Sequence, residues 1–267
     1  MKKSNEFVAI GLMLFALFFG AGNLIFPVSI GQNAGVNVVW ATLGFLITGV
    51  GLPFVGVLAT CYSGLDLEAL ASRVSPWYGL LFAIALNLTI GPFFAIPRTA
   101  TVSYEIAVAP LLSSASQTIG LYAFAFAFFA LSWWLAITPG KMVDRIGKII
   151  TPLLLFFLAI LIGAGIFNPM GSWQAPTALY ATPVTALVQG VLDGYNTMDA
   201  LASLVFGIIV INSVKLYGAK TKKEVFNNTA KSAIIAAVLL ALVYVFISNI
   251  GATSVSVLGL QKTGAGV

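Results

Sequence analysis

Seven runs of mostly apolar residues, at about 7–30, 37–60, 78–108, 119–138, 146–167, 183–213 and 232–252, limit what this chain can fold into. A membrane-spanning helix needs about 20 predominantly apolar residues, and each run reaches that length. Only 8% of the 267 residues are charged, while 60% are hydrophobic. A soluble domain carries about 25% charged residues to cover its surface. This chain cannot build such a shell, so its fold class is all-α integral membrane protein. No Pro-rich or Ser-rich linker divides the runs, and residues 1–267 read as a single transmembrane domain.

The connections set the orientation. Lys2, Lys3, Arg73, Lys141, Arg145, Lys148, Lys215, Lys220, Lys222, Lys223 and Lys231 fall on one side, which makes eleven of the thirteen basic residues. The opposite connections, "APLLSSASQT" and "NPMGSWQAPTALYATP", carry no charge, and only Lys262 follows the seventh run there. The positive-inside rule places the lysine-rich side and the N-terminus in the cytoplasm. The net charge of +5 is therefore a topology signal, and no nucleic-acid partner is needed to explain it. The first run is longer than the apolar part of a signal peptide and ends without a clear cleavage site, so it reads as a span.

Several chemistries are excluded. With no histidine, His-based metal sites and Ser-His-Asp or Cys-His nucleophiles cannot form. Cys61 is the single cysteine and reads as a small apolar filler. Asp193 and Asp199 are six apart, about 9 Å along one continuous helix, too far to share a proton as an aspartyl dyad. The seventh run has no lysine for a Schiff base, which argues against a light sensor. The chain reads as a non-enzyme without a resident cofactor.

Three runs carry residues that disturb a helix. "FFGAGNLIFP" (Phe18 to Pro27) places two glycines, an asparagine and a proline in mid-membrane. Pro27 has no N–H for the Asn23 carbonyl, and the expectation is a break between about Phe19 and Leu24. "VLDGYNTMDALASLVFG" (Val191 to Gly207) gathers Asp193, Asn196, Thr197 and Asp199 around Gly194. Ionisable residues at that depth mark functional sites by default. "GPFFAIPRTATVSYE" (Gly91 to Glu105) holds Pro92 and Pro97, with Arg98 and Glu105 as ion-pair or coupling candidates beside Asp199. Arg98 pairing with Asp193 or Asp199 competes with a structural or snorkelling role. Paired interrupted spans point to a transporter site, because half-helix ends offer a positive pole to an anion and a negative pole to a cation. A zwitterion with a metal cation suits that arrangement, whereas a channel favours rings of like residues in an oligomer.

"FFGAGNLIFP", "GPFFAIPRTA" and "LDGYNTMDALA" closely resemble the bacterial BrnQ-type branched-chain amino acid:cation symporters, and the resemblance runs along the whole chain. It implies a multi-pass protein of the bacterial inner membrane importing leucine, isoleucine and valine with sodium or protons by alternating access. A channel, or a symporter for another small zwitterionic solute, is the alternative. The implied fold is the inverted-repeat, leucine-transporter-like one with helices 1 and 6 interrupted. Family members have about twelve spans, so this chain is expected to be truncated after the first seven. By the same resemblance, Gly20, Ala21, Gly22, Asn23, Asp193, Gly194, Tyr195 and Asn196 would bind substrate. Asn23, Thr197 and Asn249 would hold a sodium ion. Phe18, Phe94 and Tyr195 would surround the branched side chain.

Overall fold

A computed structural model of the chain describes residues 6–113, 116–138 and 143–261. Lys2, Lys3, Lys141 and Lys262, four of the basic residues weighed for orientation, lie outside the described residues. Among the described residues there are twelve α-helices and no strand. They are α1 (Glu6–Phe18), α2 (Ala21–Ala34), α3 (Val38–Leu46), α4 (Leu52–Ser63), α5 (Leu67–Ala71), α6 (Pro76–Leu88), α7 (Ala95–Ala107), α8 (Gln117–Ala136), α9 (Thr151–Phe167), α10 (Pro183–Tyr195), α11 (Asp199–Leu216) and α12 (Lys222–Leu258). Among the described residues, six helical stretches are long and apolar enough to cross a membrane: Ala21–Ser63, Pro76–Leu111, Gln117–Ala136, Val143–Phe167, Asp199–Leu216 and Lys222–Leu258. The apolar helix α1 has 13 residues.

Local chemistry sets the helix ends. Thr221 caps α12 by accepting from the Glu224 N–H, and the Glu224 carboxylate accepts from the Lys220 and Thr221 N–H groups. Thr182 and Ser75 cap α10 and α6, each followed by a proline at the first helical position. Gly35, with φ +49°, turns the chain between α2 and α3.

The break expected between about Phe19 and Leu24 falls at the N-terminal edge of that stretch. The chain leaves the helix at Phe19 and Gly20, and Asn23 lies inside α2, as does Pro27. Pro27 stands in the second turn of α2 and leaves the carbonyl of Asn23, in the first turn, without its helical donor. In the third run, α6 ends at Leu88, Gly91 departs from helical dihedrals (φ −82°, ψ −120°), and α7 restarts at Ala95.

The packing has a repeated form. The long helix α12 lies along both α1 and α2. The α3–α4 stretch lies in the same manner along α10 and α11. Both contacts bring backbones together. A Cβ on Gly31 (α2) would fall 1.9 Å from the Ser248 carbonyl oxygen of α12, and one on Gly190 (α10) would fall 2.0 Å from the Ala41 carbonyl oxygen of α3. Close backbone approach through small residues is how helices associate in lipid, where no hydrophobic drive separates helix from solvent. Phe15, Phe45 and Tyr244 fill the centre of this four-part core and are fully buried. By contrast, α8 buries no residue fully, and its Phe126, Phe129, Trp133 and Trp134 side chains face outward.

Candidate functional site

The segment between α1 and α2, the Asn196–Met198 link between α10 and α11, and the α6–α7 region surround one cavity of about 440 Å³. Phe18, Gly20, Ala21, Gly22 and Asn23 form one wall. Thr197, Met198, Asp199, Ala202 and Phe206 form the second. Asn87, Gly91, Phe94, Arg98 and Thr99 contribute to the third. This volume lies in the range of small-molecule sites, about 300–1,000 Å³.

Asn23 organises the buried side. It is 3% exposed, and its amide nitrogen donates to both the Asp199 carboxylate and the Tyr244 hydroxyl, the latter at 2.6 Å. Its oxygen accepts from the Gly20 N–H at 3.1 Å. That backbone donor fixes the orientation of the amide: turned over, an NH₂ would face an N–H and an oxygen would face a carboxylate. Asp199 is 5% exposed and begins α11, where the helix N-terminus favours its negative charge. The residue before it, Met198, has φ +65°, the only positive φ at a non-glycine position among the described residues. Such a conformation costs about 1–3 kcal/mol, and it ends the link between α10 and α11. The Thr197 hydroxyl donates to the Gly194 carbonyl at 2.8 Å.

The sequence-selected residues divide into two groups. Gly20, Ala21, Gly22, Asn23, Thr197, Arg98 and Asp199 line the cavity, as do Phe18 and Phe94. The others lie elsewhere. Asp193 accepts from the Tyr180 hydroxyl at 2.5 Å and from the Gln189 amide at 3.1 Å. Burial and the adjacent carboxyl push the Tyr180 hydroxyl well above the usual phenol range, so it remains a donor. Gly194 packs against Thr48 and the Phe45 carbonyl. Tyr195 is 51% exposed, and Asn196 is also exposed. Glu105 is exposed on α7. Asn249 accepts from the Trp173 indole N–H at 3.1 Å and is not grouped with Asn23 and Thr197. Arg98 makes no ion pair with Asp193 or Asp199 among the described residues.

Sequence reasoning missed Tyr244 and Met198. Tyr244 is the only tyrosine within the apolar part of α12, and a buried phenol in lipid needs a polar partner, which was the available signal. Nothing local announces the left-handed Met198.

The segment 168–182 lies across the opposite ends of several helices. The Val36 N–H donates to the Gln174 carbonyl at 3.0 Å, the Thr177 N–H to the Asn33 carbonyl at 2.8 Å, and the Asn37 amide to the Tyr180 carbonyl at 2.8 Å. With the Trp173 and Tyr180 contacts, this strap joins the α2–α3 turn to α10 and α12.

Comparison with known proteins agrees along the full length. Residues 3–267 match the family model described as branched-chain amino acid transport protein. The chain is 49% identical to the branched-chain amino acid permease BrnQ of Bacillus subtilis, over 99% of this chain and 60% of that protein. It is 46% identical to the permease BraB of the same species, over 98% of this chain and 58% of that one. It is 42% identical to the branched-chain amino acid transport system 2 carrier protein of Pseudomonas aeruginosa, over 98% of this chain and 59% of that one. The chain thus spans about 60% of the length of the curated relatives it matches. No solved structure matches it. Matched from residue 3 to residue 267 and built of apolar helices long enough to cross a membrane, this chain belongs to the branched-chain amino acid transport protein family, as a multi-pass protein of the bacterial cell membrane.

Proposed function

We propose that the protein imports branched-chain amino acids together with a monovalent cation, by alternating access around the cavity at Asn23 and Asp199. The observation that carries this reading is the composition of that cavity. It joins the start of α2, a buried carboxylate and an apolar surface of Phe18, Phe94 and Phe206. An α-amino acid with an aliphatic side chain has matching parts. Its carboxylate suits the unpaired amides at Ala21 and Gly22, its ammonium suits Asp199, and its side chain suits the phenylalanines. The printed names of the relatives concern branched-chain amino acids, and they support the same substrate class.

The fold behind this reading is the leucine-transporter-like inverted repeat, with α1–α2 and α10–α11 as its interrupted helices 1 and 6. Its support is the repeated packing, in which α12 serves α1 and α2 as the α3–α4 stretch serves α10 and α11. The reading comprises seven spans and a cytoplasmic N-terminus. Sodium would use the Asn23 side-chain oxygen, which keeps a second lone pair beside its bond from Gly20, with the Thr197 hydroxyl, the Asp199 carboxylate and free carbonyls. A proton would ride on Asp199. Either ion couples to substrate if both favour the same closed state.

Radiolabelled leucine uptake into proteoliposomes tests the reading. The 267-residue chain and a version at the length of its relatives are each given an inward sodium gradient and then a proton gradient. Uptake that is saturable, driven by one gradient and inhibited by isoleucine and valine is the expected result. Unsaturable flux independent of both gradients would indicate a channel.

A further inference from the structure

We infer that Arg98 is the charged group that recognises the carboxylate of the substrate, acting beside the exposed amides at the start of α2. This rests on the reading of the cavity as an amino-acid site and adds a residue and a role to it.

Four observations converge on Arg98. First, it lines the same cavity as Asp199, so the walls hold one basic and one acidic side chain. Second, the two do not neutralise each other: among the described residues no ion pair within 4.0 Å joins Arg98 to any carboxylate. A guanidinium brings five N–H donors and cannot lose its charge in a protein. Among the described residues, those donors have no hydrogen-bond acceptor, while Arg145 has two backbone carbonyls. Third, the group is held in place. Its centre lies 5.6 Å from the ring of Phe26 on α2 and 5.6 Å from the ring of Phe94 at the start of α7. Two aromatic rings attract the cation without using its N–H donors, which stay available to a bidentate partner. Fourth, Phe26 also lies against Gly22, since a Cβ on Gly22 would be 3.5 Å from its ring. Arg98 therefore shares the Phe26 ring with the first turn of α2, whose Ala21 and Gly22 line the same cavity.

An unpaired cation beside amides that lack acceptors is a site for an anion. An opposite charge on another wall limits the ligand to one carrying both signs. A side chain that merely snorkels to the bilayer surface would extend along the outer face of its helix, whereas Arg98 is turned to aromatic rings on two elements that both line the cavity.

The test uses the transporter at the length of its relatives, purified in detergent. Its melting midpoint is followed with rising concentrations of leucine and of leucinamide, which keeps the ammonium and side chain but has no carboxylate. The variants are Arg98→Gln and Arg98→Lys. Arg98→Gln is expected to raise the leucine concentration for half-maximal stabilisation about 10- to 100-fold, the loss of charge-assisted hydrogen bonds. The leucinamide value should move less than about threefold by the same reasoning, since that ligand never used the guanidinium. Arg98→Lys, with the charge but not the fork, should fall between. Equal shifts for both ligands, or no shift for leucine, would overturn the assignment and leave Arg98 a structural group. If Arg98→Gln melts too low to assay, Arg98→Lys decides: leucine affinity equal to wild type would also overturn it. Failure of leucine to stabilise the wild type would instead remove the amino-acid reading, and the role of Arg98 with it.

Discussion

At the scale of single residues, Asn23 and Asp199 depend on each other. Asp199 is buried, and the Asn23 amide is the donor that reaches its carboxylate. Removing that donor leaves a charged group short of a partner, at about 3 kcal/mol or more. Asn23→Ala should therefore abolish leucine uptake while the protein still inserts in the membrane. Asp193→Asn should behave differently. The substituted amide oxygen can still accept from Tyr180, and Asp193 does not line the cavity. Leucine affinity should stay within about threefold of wild type, and uptake kinetics of the two variants side by side check both expectations. Normal uptake by Asn23→Ala would remove the cavity from the mechanism. The sequence could not separate the two aspartates. Six residues apart on a continuous helix they would lie on different faces, but the left-handed turn at Met198 resets the register, and no residue type announces it.

At the scale of helices, apolar length and low charge made the all-helical membrane class legible before any coordinates. Helix partners were less so. In the sequence, Gly20 and Gly22 drew attention because they stand close together beside Asn23. Gly31 and Gly190, at two of the close helix contacts, stand four residues before Gly35 and Gly194, a small-x-x-x-small spacing that marks helix packing in lipid. That spacing does not name the partner, which only the meeting of α2 with α12 and of α10 with α3 supplies. Gly31→Ala and Gly190→Ala should each lower stability by about 1–3 kcal/mol, because the added methyl meets backbone and not a mobile side chain. Gly163→Ala provides the contrast. A Cβ there meets nothing within 4 Å, and alanine improves a helix interior by up to about 1 kcal/mol. Melting midpoints in detergent should fall for the first two and hold or rise for the third. Asn249 illustrates the same limit: its likeness to a sodium ligand depended on a register along α12 that the structure gives to the strap, through Trp173.

For the whole molecule, orientation connects the charge pattern to the direction of transport. The proposed topology puts the α4–α6 connection, with Arg73, in the cytoplasm and the strap 168–182 outside. The packing fits this division without using charge: the strap joins the α2–α3 turn, α10 and α12, while Arg73 sits beyond the far end of α4, past the Gly64 turn. Both Arg73 and Ser172 are exposed, so a cysteine at either is open to labelling. With Cys61 replaced by serine, Arg73→Cys should react with a membrane-impermeant thiol reagent only after the cells are opened. Ser172→Cys should react in intact cells. Arg73→Cys should also leave leucine affinity unchanged, since that arginine belongs to the topology and not to the cavity. Reversed labelling would turn the molecule over, and the positive-inside argument would fail even with every helix contact intact. Labelling of both positions in intact cells would mean that these two connections share one side. An odd number of crossings could not then separate them, and the count of seven spans would fall while the cavity and its chemistry stood.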